Sequence, residues 1–216
     1  MTPNTLITTY YDNPDELEVF LSENYNPDYF SNLIVVDDGS PKYPARYILK
    51  DYGLENVKLY RILEDYGFNS HGARNLAMLV CETEWATLVD LDHILLPKLY
   101  PIMEEYIELD YGNILHFAWN QFSVKKTAFW AVGGYDEDLR GYKWGDTRLI
   151  NKFKSMFDGL ELDLFEYTYH KKPFMVSDEN RVYLQHYHKF LPEHNDNKLS
   201  WFKHKKIKFD WVEEEL

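Results

Sequence analysis

The run Asn32-Leu33-Ile34-Val35-Val36 is apolar with no alternation and stops abruptly at Asp37-Asp38-Gly39-Ser40. A strand without a polar face must be covered on both sides, which is the position of a central strand in a helix-covered parallel sheet. The neighbouring sequence keeps that architecture going. Thr5 to Tyr10 is rich in β-formers, and Asn13-Pro14-Asp15-Glu16 then supplies an N-cap, a first-turn proline and early acids before Leu17, Phe20 and Leu21. Helical spacing over Tyr43 to Tyr52 and Ser70 to Cys81 alternates with strand-like segments at Val57 to Ile62 and Trp85 to Val89. A helix after Pro97 and a strand near Asn113 to Trp119 close this part, placed at about residues 1–120. Such alternation predicts an α/β fold with a mainly parallel central sheet flanked by helices.

From Gln121 the pattern loosens into short pieces: Lys126 to Val132, a Gly133-Gly134 turn and a helix over Asp146 to Phe157. Residues 121–180 are expected to form a small substrate-side lobe, and residues 181–216 a tail that wraps the core. The 216 residues, 45% of them hydrophobic, suit one compact domain. A net charge of -13 sets up a field that repels phosphate polymers, which argues against nucleic acid and anionic lipid as partners. The single cysteine, Cys81, cannot form an internal disulfide. No charged-then-apolar leader opens the sequence, and no apolar stretch approaches the ~20 residues of a membrane span. A cytoplasmic protein without a transmembrane segment is the expectation.

In parallel sheets ligands sit beyond the carboxyl ends of the strands, so acids there carry more meaning than acids on helix faces. Asp38, beside the flexible Gly39, can accept a hydrogen bond from a base N–H or a ribose hydroxyl; the plain alternative is an Asx turn that ends the strand. In Leu88-Val89-Asp90-Leu91-Asp92-His93, residues at i and i+2 of an extended segment project to one side, so Asp90 and Asp92 can reach one ion. Mg²⁺ and Mn²⁺ prefer hard oxygen ligands, and a diphosphate can complete the shell. His186, or His188, is a candidate third ligand. The segment Gly67 to Asn75 brings Arg74 to the start of a helix, where anions are favoured; a capped helix with Arg74 paired to an acid is the alternative. Gly133-Gly134-Tyr135-Asp136-Glu137-Asp138 and Trp144-Gly145-Asp146 offer aromatic surface for a sugar and a carboxylate that can serve as general base, Asp146 being also a natural helix N-cap.

Taken in order, Ile7 to Asp12, Val35 to Ser40, Gly72-Ala73-Arg74-Asn75, Val89 to Asp92, Gly133 to Glu137 and Trp144-Gly145-Asp146 make the chain resemble family 2 glycosyltransferases of the GT-A fold, over about residues 5–150. The resemblance implies a single GT-A domain, with residues 1–120 as its nucleotide-sugar-binding part. It also implies that Thr9, Tyr11 and Asp38 line the base pocket, that Arg74 lies near the diphosphate, and that Asp90, Leu91 and Asp92 serve ribose and metal. Asp146 becomes the base of an inverting, Mn²⁺- or Mg²⁺-dependent transfer from a nucleotide-sugar donor, UDP-linked, to a hydroxyl of a carbohydrate or glycoconjugate acceptor. Asp136, Glu137 and Asp138 are the alternative acids. Thr9 departs from the proline common in relatives, and Gly145-Asp146 from an acidic pair. Sugar nucleotidyltransferases share the architecture, but their glycine-rich basic loop after the first strand has no counterpart in Thr9-Tyr10-Tyr11-Asp12. A non-catalytic nucleotide- or carbohydrate-binding module is a third possibility.

Overall fold

The computed structural model describes residues 2–67, 69–118, 121–137, 145–157, 159–162 and 207–216, together with the backbone of 168–170. Its first half alternates as the sequence predicts: β1 (Asn4–Tyr10), α1 (Pro14–Asn24), β2 (Asn32–Asp37), α2 (Ala45–Tyr52), β3 (Val57–Ile62), α3 (Ser70–Val80) and β4 (Trp85–Leu88). There follow β5 (His93–Leu95), α4 (Leu99–Glu108), β6 (Ile114–Ala118), β7 (Gln121–Lys125) and α5 (Lys126–Ala131). The remaining elements are α6 (Gly145–Met156), β8 (Leu160–Glu161), β9 (Thr168–His170) and β10 (Trp211–Glu214).

Local chemistry fixes several boundaries. Pro14 occupies the first turn of α1, where its locked φ suits the helix and its missing N–H is not needed. Asn13 stands at the N-cap without making the side-chain bond expected of it. Helix α2 instead borrows its cap from a distant residue, since Asp37 Oδ2 accepts the Ala45 N–H at 2.9 Å. It ends at Gly53, whose left-handed φ of 56° lets its N–H reach the Leu49 carbonyl.

The eight-stranded sheet runs β10-β3-β2-β1-β4-β7-β6-β8. Strand β1 is parallel to both β2 and β4, and β2 is parallel to β3. The apolar run of β2 divides between two cores. Leu33 and Val35 join Leu6 and Leu59 against Leu17, Phe20 and Leu21 of α1 and Met103 of α4. Ile34 and Val36 join Ile7, Tyr60 and Ile62 against Ala73, Leu76 and Ala77 of α3 and Phe153 of α6. Burial on both faces explains why this strand has no polar alternation.

The sheet does not end near residue 120. Strand β7 lies antiparallel between β4 and β6, so the stretch expected to be loose begins with a central strand. Its sequence alternates: Phe122 and Val124 enter one core, while buried Ser123 hydrogen-bonds Thr87 at 2.7 Å on the other face. The described end of the tail joins the sheet edge as β10, antiparallel to β3. Buried Glu137 ties that end to α3, accepting from Asn75 Nδ2 at 2.7 Å, Ile207 N–H at 2.8 Å and Lys208 N–H at 3.2 Å. Beside it Phe209 fills the space over Gly72 that a Cβ would occupy. Replacing Glu137 with Ala removes the acceptor of the Ile207 N–H and one of the two acceptors of Asn75 Nδ2, and is expected to cost about 1–3 kcal/mol in urea unfolding. A loss below about 0.5 kcal/mol would contradict this role.

Candidate active site

From β1 the chain moves outward through β2 and β3, then returns to place β4 on the opposite side of β1. A reversal of this kind opens a crevice beyond the carboxyl ends of β1 and β4, where ligands of α/β sheets sit. Three loops line it.

The first follows β2. Asp37 is wholly buried and is the one that closes the turn, its Oδ1 accepting the N–H of Ser40, three residues on, at 2.8 Å. Asp38 is left for other work: its Oδ2 accepts the Asn69 N–H at 2.6 Å, while its buried Oδ1 has no hydrogen bond among the described residues. The two readings of this segment therefore fall to adjacent residues. Gly39, with φ 77°, is obligatory because a Cβ would lie 2.7 Å from the Glu64 carbonyl oxygen. Burial pushes the Asp38 carboxyl up to about 8, with Asp37 and Asp65 adding to the push and the Asn69 backbone and side chain opposing it.

The second loop follows β1. Asp12, at φ 45°, accepts the backbone N–H groups of Lys42 (3.0 Å) and Tyr43 (2.8 Å), lashing this loop to the preceding one. Tyr11 is half-buried and donates its hydroxyl to Asp65 at 3.1 Å. Thr9 is half-buried in β1, opposite Val36.

The third loop follows β4. Asp90 and Asp92 do come together, but across a turn closed by the His93 N–H to Asp90 carbonyl bond (3.1 Å), not from one side of an extended strand. Ligand atoms of Asp90, Asp92 and His93 all lie within 4.8 Å of one another. Two carboxylates and an imidazole are a donor set that fits Mn²⁺, and the carboxylates alone fit Mg²⁺. Asn24, fully buried at the end of α1, fixes this segment by donating to the His93 carbonyl and accepting the Leu95 N–H, both at 2.7 Å. Leu91 turns inward and packs against the core around α1 and α4.

Arg74 joins these parts. It is 4% exposed, ion-paired with Asp90 and with Asp146 at 2.8 Å. The Tyr135 hydroxyl accepts from Arg74 Nη1 at 2.6 Å and donates to Asp146 Oδ1 at 2.9 Å. Tyr135 is completely buried, stacked on His71 at 5.2 Å, so it cannot be the sugar-facing aromatic surface read from the sequence. Burial would lower the Arg74 pKa, but Tyr135, Asp90 and Asp146 hold it above its ordinary value. Burial raises the Asp90 carboxyl, Arg74 opposing and Asp92 and Asp146 reinforcing the shift. His71 also explains Gly145: a Cβ there would collide with the imidazole, so the residue before Asp146 has no room for a second acid.

Asp136 pairs with Arg148 at 3.4 Å and Glu137 holds the backbone of Ile207 and Lys208, so two of the three alternative acids have structural tasks. Asp138, Trp144, His186 and His188 lie outside the described residues. Tyr135 carries a different role in the sequence, as sugar-facing surface, and His93, His71 and Asn24 carry none there; of these three only His93 has a signal, its adjacency to Asp92.

A family model described as Glycosyl transferase family 2 matches residues 5–180. The chain belongs to that family. Among solved structures, TarS 1-349 of S. aureus is similar at 15% identity and a TM-score of 0.64, over 85% of this chain and 63% of that one. The same protein in complex with UDP-GlcNAc matches with a TM-score of 0.65 at 15% identity, over 81% and 60% of the two chains. The mannosyltransferase PcManGT from Pyrobaculum calidifontis, in complex with GDP-Man and Mn²⁺, matches at 15% identity and a TM-score of 0.60, over 75% and 55%. At such identities these likenesses define the GT-A fold, and the chain spans less than two thirds of each of those structures. No curated protein sequence matches the chain significantly. Among the described residues no helix is long and apolar enough to cross a membrane.

The raised Asp38 pKa has a consequence for stability. Between the unfolded value of 3.8 and the folded value of about 8, the native state keeps a proton that the unfolded chain has lost. Stability from this group is therefore full at acid pH and is lost as pH rises towards 8, with a slope of up to about 1.4 kcal/mol per pH unit. Unfolding free energies of Asp38→Asn are expected to fall less steeply with pH than those of the parent. Equal slopes would contradict the assignment.

Proposed function

We propose that this chain transfers a sugar from a UDP-linked donor to a hydroxyl of a carbohydrate or glycoconjugate acceptor, inverting the anomeric centre, with Mn²⁺, or Mg²⁺, at Asp90 and Asp92. The observation that carries the reading is the gathering of three functions around α3 in a family 2 glycosyltransferase. Asn69, at its start, holds Asp38, and Arg74, about a turn later, holds Asp90 and Asp146.

Asp38 accepts a base N–H, the role that the family resemblance carries to it, with Oδ1 the oxygen that the Asn69 N–H leaves over. Thr9 and Tyr11 flank that base. Asp90, Asp92 and His93 hold the cation, with His186 the further candidate named from the sequence; the imidazole favours Mn²⁺ over Mg²⁺. Leu91 contributes to the ribose pocket through its backbone, its side chain being turned to the core. The cation, when bound, neutralises charge that develops on the departing diphosphate.

Asp146 stands in the first turn of α6 with Oδ1 held by Arg74 and Tyr135; among the described residues none hydrogen-bonds Oδ2. That oxygen takes the proton of the acceptor hydroxyl. The acceptor oxygen then bonds to the anomeric carbon as the bond from that carbon to the diphosphate oxygen breaks on the opposite side. Arg74 supplies fixed positive charge beside the leaving group. A cytoplasmic setting, compatible with the single buried Cys81, belongs to the same reading.

Donor turnover across UDP-, GDP- and TDP-sugars, with and without Mn²⁺, tests the assignment. A UDP-sugar is expected to be consumed only with divalent metal, Asp92→Ala to abolish that turnover, and Asp146→Asn to lower kcat by about 10²–10⁴ with UDP affinity retained. Full activity of Asp92→Ala, or stabilisation by guanine nucleotides alone, would overturn it.

A further inference from the structure

We propose that Arg74 is an internal cation that occupies Asp90 until a diphosphate arrives, so that metal and nucleotide load together and the metal does not bind tightly first. This rests on the metal–diphosphate reading of the site given above.

A cation entering among Asp90, Asp92 and His93 meets a carboxylate oxygen already taken by the Arg74 guanidinium, whose charge Asp90 shares with Asp146. Arginine cannot resolve the conflict by losing its proton, and burial weakens the screening of two cations that share one carboxylate. A metal that takes this same oxygen displaces Arg74 from Asp90 or sets the two cations against each other. A diphosphate removes the conflict because one of its oxygens can accept from the Nη2 edge that Asp90 gives up, in a charge-assisted hydrogen bond.

The geometry limits how far Arg74 has to move. Nη1 is tethered to the Tyr135 hydroxyl and Asp146 Oδ1, and only Nη2 engages Asp90. Tyr135 is itself fixed, stacked on His71 and donating its backbone N–H to Asn75 Oδ1 at 2.8 Å. The tether keeps the guanidinium beside Asp146 while its free edge exchanges carboxylate for phosphate. Each ligand then promotes the other, since coupling between two binding sites is reciprocal.

Calorimetric titration of the full chain with MnCl₂, alone and with UDP present, tests this. The parent is expected to bind Mn²⁺ at least about tenfold more tightly with UDP than without it. Arg74→Gln is expected to bind Mn²⁺ alone about tenfold more tightly than the parent, and to lose a similar factor of the UDP-induced gain. Arg74→Lys keeps the charge but cannot bridge both carboxylates, so it shifts the same way by a smaller factor and serves where the glutamine variant does not fold. Lys58→Gln, which removes a cation paired with Glu82, controls for net charge and leaves both affinities unchanged. Unaltered Mn²⁺ affinity in both Arg74 variants, with UDP coupling intact in the parent, overturns the proposal alone. Equal tightening with and without UDP marks simple charge removal and overturns it too. If the parent binds neither Mn²⁺ nor Mn²⁺ with UDP, the metal–diphosphate reading fails with it.

Discussion

The site depends on one buried guanidinium. Arg74 enters the interior from α3 and meets carboxylates from two other elements, the loop after β4 and the first turn of α6. Removing one partner of such a pair leaves an uncompensated buried charge, at a cost of about 3–5 kcal/mol. The surroundings are shaped by that requirement. Tyr135 sits fully buried with its hydroxyl completing the network; burial raises its pKa well above the usual tyrosine range, Arg74 opposing and Asp146 and Asp90 reinforcing the shift. Gly145 lacks a side chain because His71, stacked on Tyr135, takes its place.

Fold and chemistry are served here by neighbouring residues of the same type. Asp37 spends both oxygens on backbone, closing a turn and capping α2, while Asp38 keeps one buried oxygen without a hydrogen bond among the described residues. Asp136 and Glu137 brace the chain, and Asp146 faces the network. Position at a strand or helix end, rather than charge, decides which acid is available.

Much of this was legible in the sequence because it is local. The apolar run of β2, the turn residues after it and the Asp90-Leu91-Asp92 triplet announce themselves within a few positions, and the alternation of strands and helices follows from period alone. Strand β7 was hidden because Gln121 and Ser123 are polar yet buried, satisfied in the case of Ser123 by Thr87 from a different strand. His93 was passed over for a histidine far along the chain, although it adjoins Asp92. The roles of Tyr135, His71 and Asn24 depend on partners about 60–70 positions away, which no local pattern encodes. The triplet looks the same in extended chain and in the turn that joins Asp90 to Asp92, so its sequence does not separate the two.

Placement of the cation bears most directly on all of this. Anomalous diffraction from crystals of the chain grown with MnCl₂ and UDP would locate it. The account requires one strong peak within coordination distance of Asp90 and Asp92, with the diphosphate on its open side and the uracil against Asp38. A nucleotide bound with its diphosphate away from these aspartates, or manganese held elsewhere, would contradict it.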